Sequence, residues 1–156
     1  TLQKSSNHKP KTPDTMKTEI ITRLEELIAD NCKPVDREER FAESLDAEGP
    51  VNVAGLTFNP SQIWREMDPT AFRCGVNDYA DSEDWCEVDG EYYEGKDCDE
   101  QCDSLISELE SEVEDLETEI EEEEREDEPN LVDITSKKAR IDELNADIAT
   151  LNKWSF

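Results

Sequence analysis

The sequence predicts an α+β fold: a small mixed domain with short hairpins, followed by a long antiparallel helical hairpin of coiled-coil-like character. Three observations carry this expectation. Ala54-Gly55 and Asp89-Gly90 each sit between short runs of strand-forming residues. From Cys98 to Glu128, apolar residues recur at spacings of three and four: Cys98, Cys102, Leu105, Leu109, Val113, Leu116 and Ile120. After the break at Pro129-Asn130, a second amphipathic stretch from about 133 to 154 places Ile134, Ile141, Leu144, Ile148 and Leu151 at a and d positions. A short loop between two such helices makes them antiparallel neighbours.

Taken in order, residues 1–15 are polar, precede Met16 and hold the only histidine, His8. They read as a disordered arm or as upstream sequence outside the native protein. A small α+β domain is expected over 16–95, and the acidic helical hairpin over 96–156. Met16 to Asn31 is amphipathic through Ile20, Ile21, Leu24, Leu27 and Ile28, and Lys33-Pro34 ends it. Asp36 caps a short helix reaching Ala47, with Phe41 and Leu45 as its apolar side. Val51 to Phe58 reads as extended, and Ala54-Gly55 either turns it into a tight hairpin or marks a bulge at Gly55. Asn59-Pro60 and Asp68-Pro69 each combine a cap with proline at the first helical position, so two helices meet at a corner. The second carries Phe72, Val76 and Tyr79 inward. Asp81 to Asp84 is a loop, and Asp89-Gly90 joins Trp85–Val88 to Glu91–Glu94.

Within the acidic stretch, Leu109 to Val113 is a second consecutive step of four. That spacing unwinds a left-handed supercoil, so a nearly straight pair of helices is expected. The hairpin seam is then Leu105, Leu109, Val113, Leu116 and Ile120 against Ile141, Leu144, Ile148 and Leu151.

Only 34% of the 156 residues are apolar, so the core must be small, while the formal net charge is -27. That charge is a block. Residues 1–77 hold 10 basic and 13 acidic side chains, 78–128 hold 2 and 26, and 129–156 hold 4 of each. Such a chain repels nucleic acid and anionic membrane and attracts basic proteins. No apolar run is long enough to span a bilayer. Five cysteines without a secretory signal point to free thiols and a cytoplasmic location.

Catalytic chemistry finds no foothold in these residues. There is no glycine-rich phosphate loop, and no serine or cysteine has a histidine in the folded part. The acids around Asp89 fail the spacing of a calcium loop. Cys86, Cys98 and Cys102 are the zinc candidates, but a four-residue step inside a helix is a poor knuckle. The reading that outweighs it makes them small apolar fillers of the seam, with no metal and no cofactor.

Asn52-Val-Ala-Gly-Leu-Thr-Phe58, Ile63-Trp-Arg-Glu-Met-Asp-Pro-Thr-Ala-Phe-Arg-Cys-Gly75 and Asn77-Asp-Tyr-Ala-Asp81 together resemble small uncharacterised proteins of tailed bacteriophages and prophages. The resemblance covers about 51–93. It implies a phage-encoded accessory protein in a bacterial cytoplasm, and supplies no activity and no site residues.

The functional expectation rests on the acidic helix. Like charges four apart, such as Glu110 and Glu114 or Glu117 and Glu121, oppose helix formation, so the acid exceeds what the fold needs. An acidic face of Glu108, Glu110, Glu112, Glu114, Asp115, Glu117, Glu119, Glu121 and Glu124 is expected to bind a basic protein, such as a nucleic-acid-binding host protein, by imitating a phosphate backbone. It would serve as a DNA mimic or anti-defence factor, without catalysis. The competing reading is a coiled-coil oligomerisation or scaffold module, with a weak homodimer formed through the hairpins because apolar surface on the last helix is in surplus.

Overall fold

The computed structural model describes residues 18–154. The arm at 1–15, His8 and the expected helix start at Met16 lie outside the described residues. Six helices and two hairpins follow in order: α1 (Glu19–Asn31), α2 (Arg37–Asp46), β1 (Val51–Val53), β2 (Leu56–Phe58), α3 (Pro60–Met67), α4 (Pro69–Ser82), β3 (Trp85–Val88), β4 (Glu91–Glu94), α5 (Gly95–Glu124) and α6 (Leu131–Lys153). The described chain is therefore mostly helical, with two small antiparallel ribbons and one long helix pair.

Both ribbons turn where turn chemistry places them. Val53 pairs with Leu56 and Val88 with Glu91, leaving two-residue turns at Ala54-Gly55 and Asp89-Gly90. All four turn residues have positive φ, which the twist of a tight hairpin demands and which glycine supplies most readily. The first run is thus a hairpin rather than a bulge.

Caps account for the small helices. Asp36 accepts from the backbone N–H of Glu39 at 3.1 Å, and Asp68 from that of Ala71 at 3.0 Å. Asn59 makes no such bond. Instead Asp46, at the end of α2, accepts from both the N–H (2.9 Å) and the hydroxyl (2.7 Å) of the buried Ser61. The N-terminus of α3 is therefore capped from a neighbouring helix, and these bonds hold the Asp46 carboxyl below its usual range. Around that joint, Phe41, Phe72 and Val76 form a small core with Leu45 and Tyr79 beside them. A Cβ on Gly75 would fall 2.5 Å from the Phe41 ring, so only glycine lets the ring pack against α4. Helix α4 also runs on to Ser82, which shortens the loop expected at 81–84.

The main core belongs to α1, the β3–β4 ribbon, α5 and α6 together. Ile20, Leu24 and Ile28 from α1, Cys86, Val88 and Tyr93 from the ribbon, Cys98 to Leu109 from α5, and Leu144 and Leu151 from α6 form one buried cluster. A boundary at 95/96 therefore runs through shared core. Helix α5 begins at Gly95, three residues before the apolar periodicity does, because the chain passes straight from β4 into the helix. There the Gly95 N–H donates to the Asp84 carbonyl at 2.7 Å, and a Cβ would lie equally close to that oxygen.

Helices α5 and α6 run antiparallel. The Cys102 thiol donates to the Leu151 carbonyl near one end, and Lys138 reaches Glu124 near the other. Asn130 caps α6 by accepting from the N–H of Asp133, so this helix starts two residues earlier than expected. At about 1.5 Å per residue α1 is roughly 20 Å long against roughly 45 Å for α5, so it covers only the base of the pair. The remainder projects as two helices.

Leu24 is fully buried where α1 meets α5 and α6. Replacing it with alanine should lower the unfolding free energy by about 2–5 kcal/mol in a urea titration. A loss under ~0.5 kcal/mol, the size of an ordinary surface change, would mean that α1 is not packed against the pair.

Candidate functional site

The seam positions divide by depth. Leu105, Leu109, Ile120, Leu144 and Leu151 are buried. Val113, Leu116, Ile141 and Ile148 are half-buried. Of the surplus expected on α6, Leu144 and Leu151 are covered within one chain, where α1 supplies a third apolar face, while Ile141 and Ile148 are half-buried. Sequence reasoning missed that contact: α1 and α5 are some seventy residues apart, and nothing local announces their meeting.

The cysteines correct an expectation. Cys86 and Cys98 are joined by a disulfide, so the chain does not carry five free thiols. Alternation along β3 turns Cys86 and Val88 inward and Glu87 outward, while Cys98 opens the buried face of α5. The ribbon folds back directly onto that first turn. Cys102 stays free and buried, Cys32 is free and half-buried, and Cys74 is free and exposed. Burial pushes the Cys102 and Cys32 thiols up, with nearby acids adding to it, so neither is poised as a thiolate. Among the described residues no group of three or more His, Cys, Asp or Glu side chains could hold a metal ion.

Helix α5 carries fifteen acids in its thirty residues. At 100° per residue they do not surround it evenly. One flank presents Glu108, Glu112, Glu119 and Glu123, and basic residues of the neighbouring helices meet all four. Arg23 of α1 reaches Glu108 at 2.8 Å. Arg140 of α6 reaches Glu112 at 3.3 Å. Lys137 lies 3.4 Å from Glu119, 3.2 Å from Glu123 and 2.7 Å from Asp133. Ser104, Ser107, Ser111 and Thr118 run down the side opposite the seam.

The other flank lines up Asp99, Asp103, Glu110, Glu114, Glu117 and Glu121 within about 60° of arc. Glu121 faces Arg125 at 3.8 Å, and Glu124, just beyond it, is met by Lys138 at 3.2 Å. Asp99, Asp103, Glu110, Glu114 and Glu117 make no ion pair among the described residues. The nine acids expected to act as one face are therefore two populations. Glu108, Glu112, Glu119, Glu121 and Glu124 are paired, whereas Glu110, Glu114, Asp115 and Glu117 are not. Asp99 and Asp103 belong to the free line and were missed. Counting back from Glu110 by seven and then four would have found them.

The tip has its own logic. Acids crowd the C-terminal end of α5 and lysines lie near the N-terminal end of α6, each the wrong sign for its own helix dipole. Their placement makes sense only as pairing between the helices. The hydrogen bond to Asp133, then that to Glu123, holds the Lys137 ammonium well above the usual lysine range. The Lys137 ammonium in turn holds the Asp133 carboxyl below its usual range. A raised lysine value means this contribution is full below the ordinary lysine range and is lost as pH rises through the raised value. A lowered carboxyl value means it is full above the ordinary carboxylate range and is lost as pH falls through the lowered value. Lys137→Met should accordingly speed amide exchange at the tip severalfold at pH 7, since three carboxylates then face one another. The difference from the parent should vanish once pH drops below the carboxylate range. Equal protection of both proteins at pH 7 would contradict this role.

No family model, no curated protein and no solved structure matches this chain.

Proposed function

We propose that the protein is a non-catalytic, acidic interaction protein whose free α5 flank binds a basic surface on a partner protein. The observation that carries this reading is the line of five unpaired carboxylates, Asp99, Asp103, Glu110, Glu114 and Glu117. Arg23, Arg140 and Lys137 all meet the opposite flank, so the free line is an excess rather than part of an even coat. It spans about 27 Å at 1.5 Å per residue. That gives about one charge per 7 Å, against one per 3.4 Å along a single DNA strand. The flank is sparser than a phosphate backbone by about half, yet it runs along one unbroken helix.

A partner of matching chemistry is a protein with a basic channel or groove, such as a host nucleic-acid-binding protein, which makes this chain a DNA mimic or anti-defence factor of the phage accessory type. The scaffold alternative keeps part of its support: Leu144 and Leu151 are buried within one chain, while Ile141 and Ile148 are half-buried.

The test is capture from a bacterial lysate, eluted with salt and identified by mass spectrometry, followed by affinity measurement with the captured partner. Association should weaken steeply as the screening length falls from ~10 Å at 0.1 M salt to ~3 Å at 1 M. DNA should compete for the same site. Replacing the unpaired Glu110, Glu114 and Glu117 with glutamine keeps the shape and should weaken binding at least ~10-fold at low salt. Far-UV circular dichroism should show no loss of helix, since like-charge repulsion is relieved. A glutamine variant that binds as tightly as the parent at low salt would show that the flank is not the binding surface.

A further inference from the structure

The α3 side of the molecule holds a second uncovered surface, and it is apolar. Across the β1–β2 ladder Val51 pairs with Phe58 and Val53 with Leu56. Side chains two apart on a strand share a face, so these four form one apolar face and Asn52 and Thr57 the other. Val51, Val53 and Leu56 are 39%, 53% and 62% exposed. Trp64 and Met67, one turn apart on α3, are 40% and 81% exposed. Among the described residues the other large apolar side chains this open are Leu131 and Val132, at the far tip. A two-stranded ribbon with an open apolar face is marginal in water. Edge strands are normally guarded by charge. Residues 49–60 contain no charged side chain at all, in a chain of which 38% is charged.

We infer that this face is where two copies of the chain meet, ribbon against ribbon across a two-fold axis. Charge selects the occupant. Residues 47–77 hold 2 basic and 3 acidic side chains, a net of -1, whereas 78–128 hold 2 and 26, a net of -24. Two copies approaching through their helical hairpins would bring the acidic blocks together, while approach through the ribbon and α3 keeps them apart. The alternative self-contact, along the α5–α6 pair, is covered by α1 only at its base and carries the acidic block beside it. A two-fold contact places the same patch on both sides, and an uncharged apolar face is complementary to itself. Five large side chains are few beside the roughly 20–30 residues a side of a standard stable interface, so the dimer is a weak one. The contact leaves both α5 flanks exposed and does not depend on what they bind.

The experiment is sedimentation equilibrium of the full chain from ~10 to ~300 μM at 0.15 M salt, a range suited to a weak interface. The parent should rise from its 17.9 kDa monomer mass toward twice that value. Val53→Asp with Leu56→Asp should stay monomeric throughout, and Leu131→Asp with Val132→Asp should associate like the parent. Amide exchange of the parent at 51–58 should slow as concentration rises, a readout that needs no variant. A parent that remains monomeric, a ribbon variant that still dimerises, or exchange at 51–58 that ignores concentration would each overturn the inference.

Discussion

Burial of Leu24, Leu105, Leu109, Leu144 and Leu151 at the base of three helices is what everything else in this protein leans on. Helix α5 is poorly equipped to stand alone. Its side chains repel at i, i+4 along most of its length, and the sign of its C-terminal charges opposes its dipole. Helical stability in such a case comes from tertiary packing of the apolar face rather than from propensity. The apolar seam therefore fixes the length and orientation of the acidic helix, and through them the line of free carboxylates. The Cys86–Cys98 bond and the tight Gly95–Asp84 contact anchor the same helix at its first turn.

Distribution of the bases decides what that helix presents. Arg23, Arg140 and Lys137 all meet one flank, and Lys138 closes the tip. Exposed pairs of this kind add little stability each. Their more important consequence is to leave the opposite flank uncompensated. The α2–α4 unit is joined to the base through Arg40–Glu94 and through Val35, whose N–H donates to the Tyr92 carbonyl at 2.6 Å. Within it, residues 47–77 between α2 and the middle of α4 are nearly neutral, and the ribbon among them is apolar rather than acidic. The molecule therefore separates two kinds of surface by sequence region: charge on the long helix, and bare apolar side chains on the short ribbon.

Much of this was legible in the sequence where the chemistry is local. Asp89-Gly90 specifies its turn because both central residues must take positive φ, and Asp68-Pro69 specifies a corner because cap and proline act within one helical turn. The apolar spacing of α5 and α6 also matches where the two helices bury side chains, at Leu105, Leu109, Ile120, Leu144 and Leu151. What failed lay mostly between elements that do not follow one another in the chain. Asn59 looked like a cap, but Asp46 took that role from another helix. The third face of the seam, α1, could not be placed by spacing. Cys86 and Cys98 read as separate fillers because their bond depends on how the ribbon folds back. The acids read as one coat because their pairing depends on where Arg23 and Arg140 land.

If the free flank serves binding rather than the fold, its charge should work against stability, and salt should relieve it. Thermal unfolding followed by circular dichroism between ~0.02 M and ~0.5 M sodium chloride tests this most directly, because screening acts on repulsion and attraction alike and reports which dominates. The account predicts a midpoint that rises with salt, as the excess of unpaired carboxylates on α5 is screened. A midpoint that falls would show that the ion pairs outweigh the repulsion. The acid would then be part of what holds the protein together, and the case for a purposeful free flank would fail.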